Sequence, residues 1–164
     1  MATGRKIRSY DYVNHPYDRV RDTLKQNAVA VFQSATKAAA SRAESVAAEL
    51  HVDFAGMGLK ADIKILVKGV EERAADATSS ASTRLLLEWE AATLPRLFPL
   101  MQGELSVYPL TSTETQLDFS GIYEPPFGAV GKTRNAIVGH RIAEVSVHRF
   151  VSDVAGYLRQ ALAA

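Results

Sequence analysis

His140, Glu144 and His148 stand four residues apart in a segment of helical periodicity, so they rise along one side of one helix. Two imidazoles and a carboxylate are metal-ligand chemistry, but a straight helix spreads positions eight residues apart over ~12 Å. Zinc–nitrogen bonds are about 2.0–2.1 Å, so one ion could not reach both histidines, and no metal is expected. The adjacent pairs, His140 with Glu144 and Glu144 with His148, remain acid–base candidates. Two readings stay open: a solvated line shared with Arg141 and Arg149, or a polar function facing an internal cavity.

Three further features carry potential chemistry. Glu88 and Glu90 flank Trp89 in RLLLEWEA (84–91), where alternation puts Trp89 with the apolar residues and both glutamates on the opposite, wet face. Trp89 is then core or cavity wall. Tyr123 ends an alternating run beside Pro125 and Pro126, and a tyrosine there could hydrogen-bond the polar end of a ligand while its ring packs on the apolar part. Asp62, Asp118, His15 and His51 read as turn or surface residues.

The stretch YEPPFGAVGKT (123–133) ends like a phosphate-binding loop, whose pattern is G-x-x-x-x-G-K-[ST]. Position 126 should then be glycine, and it is proline, which supplies no N–H and stiffens the loop. The preceding strand alternates, whereas a P-loop follows a buried parallel strand, and the 31 residues after Thr133 leave no room for further strands. The stretch reads as a stiff strand-to-helix turn.

The elements that must position these residues follow from periodicity. Segment 6–13 alternates as a strand, 17–26 has helical composition after Pro16, and 32–50 carries a helical stripe of Phe32, Ala35, Ala39, Ala43, Val46 and Leu50. Strands are expected at 51–55, 61–72, 84–91, 101–107 and 117–123, with turns at 56–58 and 109–114 and a polar linker at 76–82. The rest, from 132, is helical, with a stripe of Val147, Phe150, Val151, Val154, Leu158 and Leu162 and a bend or break expected near Gly139. A sheet with one apolar face needs a cover, and the terminal helix is the element expected to cross it. The fold class is α+β, one domain over 1–164, with a candidate cavity between sheet and helix.

Composition bounds the function. The 164 residues are 47% hydrophobic and 23% charged with net charge +1, as in globular chains, and nothing global marks a nucleic-acid or anionic-membrane binder. The absence of cysteine excludes disulfides and thiolate chemistry and fits a reducing compartment. The first residues carry no apolar run, so no secretory signal is expected, and no segment reaches the ~20 apolar residues of a membrane span. A cytoplasmic location is the expectation.

The order of elements and the segment GIYEPPFGAVGKTRNAIVGHRIAEVSVHRFVSDVAGYL (121–158) resemble the helix-grip superfamily of START-like and polyketide cyclase/dehydratase-like proteins. Within it the chain resembles a bacterial subgroup with a strand–PP-x-G-x-x-G–helix junction and an H-R-[IV]-A-E helix, and LEWEA (87–91) and ELSVYPL (104–110) fit the same pattern. The resemblance implies a curved antiparallel sheet of six or seven strands around a long C-terminal helix, with two shorter helices after the first strand. Members bind lipids, quinones, plant hormones or polyketides, and some are enzymes. Their plant members carry a glycine-rich loop to which Gly56-Met-Gly58 is a faint counterpart.

Three functions are weighed. The leading one is binding of a small hydrophobic or lipid-like molecule between sheet and terminal helix, without cofactor, nucleic acid or stable membrane insertion. Its walls would be Ile65, Val67, Leu87, Trp89, Leu105, Val107, Phe119 and Tyr123, with Ile142 and Val145 from the helix. The motive is volume expected to stay unfilled beside Gly103, Gly121 and the alanines. The second is a cyclase- or dehydratase-type enzyme in which His140, His148 or Tyr123 shuttles protons. The third is a ligand-free structural or regulatory homodimer using the apolar stripe at 137–142.

Overall fold

Period-two alternation becomes five antiparallel strands: β1 (Arg5–Val13), β2 (Ile63–Arg73), β3 (Ser82–Ala91), β4 (Leu100–Thr111) and β5 (Glu114–Glu124). The structure, a computed structural model, describes residues 5–49, 63–91, 100–124 and 133–163. The expected strand at 51–55, Gly56-Met-Gly58 and the loop 125–132 lie outside the described residues. Among the described residues the sheet has five strands, where six or seven were expected, in the order β1-β5-β4-β3-β2, so the first strand pairs with the last. With the long helix that follows β5, this is the α+β helix-grip arrangement expected from the sequence.

Register places the inward residues in rows across the sheet. Ile65, Trp89, Met101 and Tyr123 form one row, and Val67, Leu87, Gly103, Gly121 and Ile7 form the next. The outward positions are mostly polar, as expected of a sheet wet on one face, with Tyr10, Leu66 and Ile122 exposed among them. Arg8 forks the Asp118 carboxylate at 3.1 and 2.8 Å, and this hydrogen bonding raises the Arg8 pKa above its ordinary value. Glu88 lies outside beside Lys68 and Gln102, and Glu90 is exposed, which places both glutamates on the wet face.

Between β1 and β2 runs α1 (Tyr17–Glu49), and α2 (Thr133–Ala161) follows β5. The Pro16 carbonyl accepts the first amides of α1, from Arg19 at 3.1 Å and Val20 at 3.2 Å, and Asp18 complements the helix dipole. The two helices expected at 17–26 and 32–50 are joined across a kink at Asn27 (φ −132°, ψ 25°). Asparagine competes locally for backbone hydrogen bonds, and no glycine or proline follows it before Phe32, so the helix resumes at once. The break expected near Gly139 does not occur: α2 is helical throughout. Nor is α2 the sole cover, since α1 is 33 residues long and packs against both α2 and β2.

One buried cluster takes residues from both helices and all five strands. Phe32, Ala35 and Ala39 of α1 face Val147, Phe150, Val151, Val154 and Leu158 of α2 in this core. At its centre Phe119 stacks on Trp89 with ring centroids 5.9 Å apart and planes at 11°. Phe150 meets both rings edge-on, at 4.9 Å from Trp89 and 5.8 Å from Phe119, and Phe32 lies 5.5 Å from Phe150. The volume expected to be empty beside Gly103 and Gly121 is filled: a Cβ on either would stand 2.6–2.7 Å from the Phe119 ring. The two glycines face each other across β4 and β5 because that ring lies over them.

Candidate functional site

Tyr123 sits near the end of the inward face of β5, its side chain 1% exposed. Its neighbour on β4 is Met101, whose neighbour on β3 is Trp89, so the phenol follows an apolar run, and Arg5 of β1 pairs with it on the other side. One helical turn of α2 stands opposite. The Tyr123 hydroxyl lies 3.1 Å from His140 Nδ1, and His140 Nε2 contacts Glu144 Oε1. The i, i+4 spacing of His140 and Glu144 makes their contact a local property of the helix. The contact with Tyr123 is tertiary.

The three groups form a chain that runs from the interior outward. Tyr123 is buried, whereas the side chains of His140 and Glu144 are 40% and 39% exposed. In a neutral imidazole, an Nε2–H donated to the Glu144 carboxylate leaves Nδ1 as acceptor for the Tyr123 O–H. The carboxylate thereby orients the ring. This arrangement can hold a hydrogen-bonding group at the end of an apolar surface, and it can move a proton between that surface and solvent.

His148 does not join the chain. Its Nδ1 lies 2.9 Å from Ser9 Oγ, an inward residue of β1 that is itself buried. The histidines are thus tied to different strands, β5 and β1, and among the described residues no three His, Asp or Glu side chains gather as metal ligands. Neither is a purely solvated residue, because each makes one contact to a strand. His15, read from sequence as surface, is half-buried, and its Nε2 lies 3.3 Å from the Arg159 carbonyl.

Of the expected cavity walls, Ile65, Leu87, Trp89, Leu105, Val107, Phe119, Tyr123 and Ile142 are buried, while Val67 and Val145 are half-buried. Leu105 and Phe119 pair directly across β4 and β5, and Phe119 packs against the Trp89 and Phe150 rings. Val67 lines a cleft of about 590 Å³ between β2 and the kink of α1, with Leu24, Asn27, Val29 and Val70. Val145 lines another, of about 380 Å³, together with Arg42, Arg141 and His148. Ile142 is fully buried and is not available to a dimer interface. The side chains of Ile137 and Val138 lie outside the described residues.

Sequence reasoning missed two participants. Ser9 is a small polar residue at an inward position, and nothing local marks it as the partner of His148. Met101 lies beside Tyr123 through the register of β4 with β5, which no single segment shows.

No family model matches the sequence, and no curated protein matches it. Solved structures similar to the chain include the Zhui aromatase/cyclase from a Streptomyces species, at 14% identity and TM-score 0.48, covering 97% of this chain and 96% of that one. A conserved protein from Geobacillus kaustophilus is similar at 12% identity and TM-score 0.47, covering 96% and 97%. Ara h 8.0201 is similar at 10% identity and TM-score 0.40, covering 96% and 99%. Likenesses at this level assign neither a ligand nor a reaction to the chain.

Proposed function

We propose that the chain binds a small, mostly apolar molecule carrying one hydrogen-bonding group, at the Tyr123 end of the space between sheet and α2. The observation that carries this reading is the buried Tyr123 hydroxyl, held against half-exposed His140 at the end of an apolar row. Apolar walls with a few placed polar groups are how sites for such ligands are built. The aromatic packing of Trp89, Phe119 and Phe150 forms the floor, so the ligand lies beyond that level, against Trp89, Met101 and Tyr123.

Trp89 is the chain's single tryptophan and 5% exposed, so its fluorescence reports on this space. Native mass spectrometry of freshly purified protein should show a retained apolar compound. The neutral probe N-phenyl-1-naphthylamine should quench Trp89 with saturation and be displaced by that compound. Tyr123→Phe should weaken binding of the retained compound by roughly tenfold at most, the worth of one neutral hydrogen bond of about 0.5–1.5 kcal/mol. A protein that retains nothing and leaves Trp89 unquenched refutes the proposal.

A second reading, proton transfer on a bound substrate, is favoured by the Tyr123–His140–Glu144 chain. It requires that the retained compound change mass during incubation, by loss of water for a dehydration. His140→Gln should stop that change while leaving the compound bound. An unchanged compound in the wild-type protein leaves binding alone.

A further inference from the structure

Arg141, Glu144, Val145, His148, Arg149 and Ser152 lie along the solvent side of α2 and, with Arg42 of α1, line a cleft of about 380 Å³. One of its positive charges is already matched, and its one carboxylate is hydrogen-bonded. Glu144 is engaged by His140, and Arg149 Nε stands 3.0 Å from Asp153 Oδ2. Burial holds the Asp153 carboxyl above its ordinary pKa, against the opposing pull of Arg149. Arg42 and Arg141 have no carboxylate within ion-pair distance among the described residues. His148 spends Nδ1 on Ser9, which fixes the ring and leaves Nε2 without a partner among the described residues.

Two unmatched guanidinium groups in one cleft repel each other unless an anion joins them. Guanidinium groups present planar forks of N–H donors that suit the oxygens of a phosphate, and a dianion balances two of them. The volume equals that of about a dozen liquid waters at roughly 30 Å³ each. It therefore exceeds an inorganic ion and leaves room for an organic substituent beside Val145. We propose that this cleft binds a phosphate monoester, with Arg42 and Arg141 gripping the phosphate and His148 Nε2 supplying a further contact. The site is separate from the apolar one and does not depend on it.

The test is calorimetric titration of the full chain with inorganic phosphate and with glycerol 3-phosphate. A parallel arm measures sedimentation with phosphatidylcholine vesicles doped with phosphatidic acid. Arg42→Gln and Arg141→Gln are exposed substitutions, and Arg19→Gln on the first turn of α1 is the charge control. Each cleft variant should weaken one-to-one binding about tenfold or more, through loss of a charge-assisted hydrogen-bond donor, and the double variant should abolish it. Arg19→Gln should leave it unchanged, and acetate should not compete. Binding to the soluble ester assigns the phosphate to a small metabolite, and binding to the vesicles alone assigns it to a lipid headgroup. No saturable binding in any arm, or equal affinity in the double variant, overturns the proposal.

Discussion

Placing one methyl group at position 103 tests how tightly the interior is filled. A Cβ on Gly103 would stand 2.6 Å from Phe119 Cζ, 2.9 Å from the Ser120 carbonyl oxygen and 3.1 Å from Gly121 Cα. The ring cannot swing away freely, because Trp89 stacks on it at 5.9 Å and Phe150 meets its edge at 5.8 Å. The two backbone atoms belong to the paired strand and move only with it. Overpacking of this kind costs about 1–3 kcal/mol. For a chain of 164 residues that corresponds to a fall in Tm of roughly 2–12 °C. Gly103→Ala should show this loss in urea denaturation, with a shifted midpoint and little change in slope. Phe119→Leu removes the ring tip, so Gly103→Ala should cost less in that background, with a coupling of about 0.5–2 kcal/mol. Part of the cost should survive there, since the Ser120 and Gly121 contacts are backbone. A loss below about 0.5 kcal/mol in the native background, or equal losses in both, would refute the claim that Phe119 fills the space over the glycines.

Three further outcomes follow from buried or ordered polar groups. The Tyr17 and Thr83 hydroxyls are 2.6 Å apart and both buried, so Thr83→Val should cost about 1–3 kcal/mol by stranding the phenol. The double substitution Tyr17→Phe with Thr83→Val should recover part of that loss, and chemical denaturation of the single and double variants decides it. Ser9→Ala should cost about 1 kcal/mol in chemical denaturation, by removing the partner of His148 Nδ1. Asp76 accepts hydrogen bonds from the amides of Thr78 and Ser79, chiefly that of Thr78, which lowers its pKa below the ordinary 3.8. Since the folded value is depressed, the turn should be fully formed above the ordinary carboxylate range and lost as pH falls through the folded value. Amide shifts of Thr78 and Ser79 that stay constant on acidification would contradict this.

Periodicity made the described strands, the C-terminal stripe and the Phe32–Ala35–Ala39 part of the other legible, because burial on one face leaves a direct imprint on residue type. The stripe from Val147 to Leu162 is buried along its length, and Leu85, Leu87 and Trp89 turn inward as alternation requires. Gly139 misled because glycine weakens a helix by about 1 kcal/mol, which does not by itself break one. The Asn27 kink misled in the opposite sense, since a single non-helical residue looks like a loop when only the gap between two stripes is visible.

By itself, then, the sequence determined the α+β class, the order of the described elements and most of their inward residues. Those properties depend on spacing within one segment. Tertiary structure decided which inward residues meet: Tyr123 with His140 across β5 and α2, Ser9 with His148 across β1 and α2, and Phe119 over two glycines of neighbouring strands. Such meetings depend on strand register and on the rotation of a helix about its axis. A shift of one residue in the former exchanges the faces of a strand, so neither can be read from the segments taken singly.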